Sequence, residues 1–197
     1  MTTLATLAAL ALVAVTLAAY DYSIAAYHWA ARYSARLSFG FFIVAYSVSS
    51  WHRLWPSGWS LALLRNRRAI GLSFAGAHTV HLGALTAFAA ISDRKPPLSN
   101  LIPGGLGYAL MLAMAVTSND RAVRAMRQWW KRLHRVGIHY LWFIFAFTFF
   151  AHMRTNEMVW GPIFFALALA AMGLRIVSAR SRVIADEAAS PVILTDA

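Results

Sequence analysis

Two histidines one helical turn apart, His78 and His81, lie inside an uncharged apolar run from Ala69 to Ile91. At 1.5 Å per residue such a run is long enough to cross the hydrocarbon core of a bilayer. Titratable groups are costly at that depth, so imidazoles placed there mark a functional site. A later apolar run, Val136–Met153, holds His139 and His152, and His134 just precedes it. Imidazoles presented by two membrane helices are the donor set of a b-type haem, whose iron takes one neutral nitrogen on each face. Interhelical hydrogen bonds to serine or threonine are the other use of such residues.

Helical geometry sets which of these side chains can act together. At about 100° per residue, His78 and His81 lie on nearly one face. His134 and His152 are separated by five whole turns and share a face, whereas His139 is rotated about 140° from both. If both runs start at the same surface, His78 lies about 15 Å and His81 about 20 Å beyond Arg68, while His139 lies about 6 Å and His152 about 26 Å beyond Arg135. His81 is thus nearest in depth to His152, and these two are the expected iron ligands. His78, His134 and His139 complete the candidate cofactor-binding set. His52, between Trp51 and Arg53, reads as interfacial, and His28 falls in a short loop beside Tyr27 and Trp29. Tyr140, Trp142, Phe143 and Phe145 suit a porphyrin or ordinary packing equally well.

The elements that must position these residues are membrane helices. The chain is 60% hydrophobic with a mean hydropathy of +0.56 and only 13% charged residues, against about 25% in soluble domains. Six apolar segments are read: Thr3–Tyr20, Leu37–Trp51, Ala69–Ile91, Leu98–Thr117, Val136–Met153 and Met158–Leu174. The expected fold is an all-α polytopic bundle of six transmembrane helices, residues 1–180, followed by a short polar tail, 181–197, without structure. The first segment follows an uncharged Met1-Thr2-Thr3 and is longer than a usual signal-peptide core, so it reads as a retained helix.

Charge and chemistry narrow the function. Cysteine is absent, which excludes disulfides, thiolate clusters and covalent c-type haem attachment. All seven acidic residues lie outside the apolar runs, unlike the buried carboxylates of proton-coupled transporters. The net charge of +11 does not point to nucleic acid, because the cations segregate by loop. Thirteen lie in three regions: after the second segment (Arg53, Arg65, Arg67, Arg68), after the fourth (Arg121 to Arg135) and in the tail (Arg175, Arg180, Arg182). Five occupy the opposite side: Arg32, Arg36, Arg94, Lys95 and Arg154. The positive-inside rule then puts both termini in the cytoplasm. Within Asn119–Leu133, the apolar Val123, Met126, Trp130 and Leu133 recur at helical spacing, predicting one amphipathic helix on the inner surface, anchored by anionic lipid or docking an acidic partner.

Two motifs resemble a known family. Arg67-Arg68-Ala69-Ile70-Gly71-Leu72 leading to His81 is similar to the third span of the ferric-reductase-like transmembrane domain. Thr117-Ser118-Asn119-Asp120 followed by Trp130-Lys131-Arg132-Leu133-His134-Arg135 resembles the start of its fifth. That family includes the haem-binding membrane subunit of the bacterial methionine sulfoxide reductase system, and the likeness covers roughly Ser34 to Met153. It implies transmembrane electron transfer through non-covalent haem b in the inner membrane of a bacterium. His81 takes the place of the third-span ligand, and His134 that of the histidine at the inner mouth of the fifth. The family's next fifth-span histidine falls thirteen residues later, where this chain has Phe147. His152 is its replacement, or His139 and His152 form the pair instead; one haem is expected.

No G-x-G-x-x-G fingerprint occurs, and the chain stops soon after the sixth segment. The chain is therefore expected to be an oxidoreductase component, with a separate flavoprotein or quinol as electron donor and a separate acceptor across the membrane. A haem-free membrane scaffold retaining the same bundle is the alternative function. A metal transporter using His78 and His81 is disfavoured by the lack of intramembrane carboxylates and cysteines.

Overall fold

The computed structural model describes residues 1–93, 97–153 and 159–189, and all the regular structure among them is helical. In chain order the helices are α1 (Thr2–Ala19), α2 (Ile24–Leu54), α3 (Gly58–Arg65), α4 (Arg67–Ile91), α5 (Leu98–Val116), α6 (Asp120–Met126), α7 (Gln128–His152) and α8 (Trp160–Ala189). Five of them, α1, α4, α5, α7 and α8, are long and apolar enough to cross a membrane. The second expected segment, Leu37–Trp51, lies within α2, a 31-residue helix. Arg32, Arg36, His52 and Arg53 at its two ends lower its hydropathy without shortening it.

Local chemistry sets the α2 boundaries. Ser23 caps the N-terminus by accepting from the Ala26 amide at 3.3 Å. Pro56 disfavours helical backbone at the preceding Trp55, where α2 stops. Ser57 and Ser60 then form a reciprocal capping box that starts α3 at once.

α2 is the axis of the bundle, packing chiefly on α4 and also on α1 and α8, while α7 packs on α5 and α8. Phe39, Phe42 and Tyr46, at spacings of three and four, are almost wholly buried and meet Phe74, Met111, Leu141, Phe145 and Phe149 in the core. The outer surface is apolar, with Leu4, Leu7, Leu106, Phe147 and Leu167 exposed, as a lipid-facing surface requires. α1 and α4 approach closely because Gly76 faces Thr6, leaving no room for a β-carbon. α4 and α7, which carry the candidate histidines, do not pack backbone against backbone. They meet through side chains, notably Phe74 and His78 against Phe145.

Three contacts bring the basic regions to one end of the bundle. Arg68 Nη1 pairs with Asp120 Oδ1 at 2.9 Å, Arg53 Nη1 donates to Ser178 Oγ at 3.1 Å, and Arg175 Nη1 donates to the Tyr46 carbonyl at 2.9 Å. Arg94, Lys95 and Arg154, expected on the opposite side, lie outside the described residues, as does Met158.

Two expectations need correction. The single amphipathic helix over Asn119–Leu133 is divided: Arg127 takes φ 48°, ψ −114° between α6 and α7, so Trp130 and Leu133 belong to α7. Positive φ at a non-glycine residue breaks the helical repeat that the stripe assumed. Nor does helix end before Ser181, since α8 runs on to Ala189. Ala185, Glu187, Ala188 and Ala189 in its last turns are residue types that favour helix.

Candidate functional site

α2 supplies a buried serine to each histidine of α4. Ser38 Oγ lies 2.9 Å from His78 Nδ1, and Ser34 Oγ lies 3.3 Å from His81 Nδ1. Each hydroxyl directs its one proton to a carbonyl of its own helix: Ser38 to Ala35 at 2.8 Å, and Ser34 to Ala30 at 2.7 Å. With the hydroxyl protons so directed, the imidazoles donate from Nδ1 to the serine oxygens. The rings are 5.1 Å apart, as their near-common face predicts. His78 is further fixed by Tyr108, stacked at 4.9 Å, and by Phe74 and Phe145 at 5.2 and 5.4 Å.

The three histidines of α7 diverge. His134 Nδ1 donates to the Trp130 carbonyl at 3.2 Å and its ring stacks on Trp130 at 4.0 Å. His139 Nδ1 meets the Tyr46 hydroxyl on α2 at 3.1 Å. His152 Nδ1 donates back to the Thr148 carbonyl at 2.7 Å. Carbonyls only accept, so His134 and His152 also donate from Nδ1.

His134 differs from the others in one respect. Among the described residues two buried side-chain polar atoms lack a hydrogen-bond partner, Ser73 Oγ and His134 Nε2. A serine hydroxyl can turn to a carbonyl of its own helix. A ring nitrogen has no such freedom; the Met114 backbone lies near the His134 ring without completing a full hydrogen bond to Nε2, and a nitrogen so placed can take a ligand.

His134 also lines a cavity of about 550 Å³ at the basic end of the bundle, within the range of small-molecule and cofactor sites. Phe42, Phe74, Met111, Met114, Ile138 and Leu141 form its apolar wall. Arg67, Arg68, Lys131, Arg135 and Arg175 line it too, together with one carboxylate, Asp120, already paired with Arg68.

The fit to haem differs between the two places. Around His78 the rings of Tyr108, Phe74 and Phe145 all meet the imidazole, and Phe74 and Phe145 also meet each other, so its surroundings are filled by side chains. His81 and His152, the expected ligand pair, each bond through Nδ1, to Ser34 and to the Thr148 carbonyl. The cavity fits: an apolar wall for the macrocycle, cations for its carboxylates, and a buried imidazole nitrogen for the iron. Met111 and Met114 add thioethers, which also ligate haem iron.

Sequence reasoning missed several contributors. Ser34 and Ser38, four apart and matching His78 and His81 three apart, were readable as a buried polar ladder. Arg175 and Tyr108 carried no local signal, because their roles depend on which helices become neighbours. No family model matches the chain, and no solved structure matches it.

Proposed function

We propose that this chain is a membrane-embedded electron-transfer subunit that holds one b-type haem in the basic-ended cavity, with His134 as iron ligand. The observation that carries this reading is the His134 imidazole, its Nε2 buried without a full hydrogen bond at the edge of a cavity lined by five cationic side chains. Haem bound there supplies a one-electron iron couple. The chain's own part is to hold and insulate. The Trp130 carbonyl orients the His134 ring, the phenylalanine and leucine wall offers an apolar surface to the macrocycle, and the cations set the local field. The protein is an oxidoreductase component, with a flavoprotein or quinol as donor and the acceptor on the other side.

In this reading α2 is the sixth span, both termini are cytoplasmic, and the bundle lies in a bacterial inner membrane. The gathering of Arg53, Arg68 and Arg175 at one end supports that orientation under the positive-inside rule. Purified protein should show sharp reduced-minus-oxidised Soret and α bands with dithionite. Colourless protein that also resists haem reconstitution would refute the proposal and leave the second reading, a haem-free membrane partner. Phe147 favours that second reading: it stands where the resemblance expects a histidine, and its side chain is 59% exposed on the outside of the bundle.

A further inference from the structure

Arg67 opens α4 and Arg175 belongs to α8, yet both line the same cavity. Arg67 Nε donates to the Ala45 carbonyl at 3.2 Å, and Arg175 Nη1 donates to the Tyr46 carbonyl at 2.9 Å. Ala45 and Tyr46 are consecutive on α2, about 3.8 Å apart at Cα, so the two guanidinium groups are held side by side. Arg175 is fixed further by its position 4.5 Å over the Tyr46 ring. Neither arginine meets a carboxylate among the described residues, and the one carboxylate lining the cavity is paired with Arg68. Each guanidinium carries five N–H donors and gives one to α2. Two like charges anchored together at an apolar cavity, without a counter-ion, are costly. A ligand with two negative charges removes that cost, whereas a neutral quinone does not.

We infer that Arg67 and Arg175 form a seat for the paired anionic groups of an amphiphilic ligand, the two carboxylates of haem under the reading above, on which this inference rests. The planar fork of arginine matches a carboxylate bidentately, which a lysine cannot do. Lys131 and Arg135 add charge at the same cavity.

The test compares haem b with its dimethyl ester, which keeps the macrocycle and iron but carries no charge at the carboxyl positions. Full-length protein in detergent is titrated with each, and Soret absorbance is read. Wild type should bind haem at least tenfold more tightly than the ester, and the difference should shrink as salt is raised. The Arg67→Gln, Arg175→Gln variant should bind both alike, at the level of the ester. Arg67→Lys, Arg175→Lys should recover only part of the preference. The ester arm in wild type needs no substitution, so a misfolded variant does not decide the outcome. Equal affinity of wild type for haem and ester, or an undiminished preference in the glutamine variant, would overturn this seat and leave the haem reading standing. Absence of any saturable Soret shift when wild type is titrated with haem would overturn both together.

Discussion

At the scale of single residues, proton bookkeeping separates five histidines that share a residue type and a membrane setting. His78 and His81 are oriented by serines, His134 and His152 by carbonyls of their own helix, and His139 by a tyrosine. Of the five, His134 is the one that lines the cavity. His134→Ala should therefore abolish the haem Soret band, while His28→Ala and His81→Ala retain it; spectra of the three purified variants check this. Loss in the His81 variant with retention in the His134 variant would move the iron to α4. Ser38→Ala leaves the His78 imidazole without its partner. It should cost about 1 kcal/mol in detergent unfolding, within the range of interhelical hydrogen bonds in membranes.

At the scale of elements, small residues decide how closely helices approach. A β-carbon at Gly76 runs into Thr6 Oγ1, whereas one at Gly83 meets nothing within 4 Å. Gly76→Ala should destabilise the bundle by about 1–3 kcal/mol through overpacking of α1 on α4. Gly83→Ala should be neutral or stabilising by up to about 1 kcal/mol. Equal effects of the two in sodium dodecyl sulfate titrations would contradict the packing described. The α6–α7 junction offers the opposite case. Arg127, with φ 48°, sits where glycine is at ease, so Arg127→Gly should raise the melting temperature modestly, by relief of about 1 kcal/mol of strain.

At the scale of the molecule, the absence of cysteine makes topology directly testable. Trp59 on α3 is 83% exposed and Tyr20 at the end of α1 is 43% exposed. With cytoplasmic termini, Tyr20→Cys should react with an impermeant maleimide in intact spheroplasts. Trp59→Cys should react only after the membrane is opened. The reverse pattern would invert the proposed orientation and put the cavity mouth on the outer side.

Much of this molecule was legible from one dimension, because the bilayer constrains sequence so strongly. Long apolar runs without charges had to be helices, since lipid leaves backbone groups no other partner. That fixed the all-α class and nearly every helix that the structure contains. The period of the helix likewise put His78 and His81 on one face and turned His139 away from His134 and His152. What the linear chain could not decide was neighbourhood. Pairing Ser34 and Ser38 with two imidazoles, setting Arg67 beside Arg175 over consecutive α2 carbonyls, and opening a cavity at His134 each require helices far apart in sequence to meet at one depth. Sequence spacing fixes rotation and rise along one helix. Only packing in three dimensions fixes the register between helices, and here that register sets His134 at the edge of the cavity.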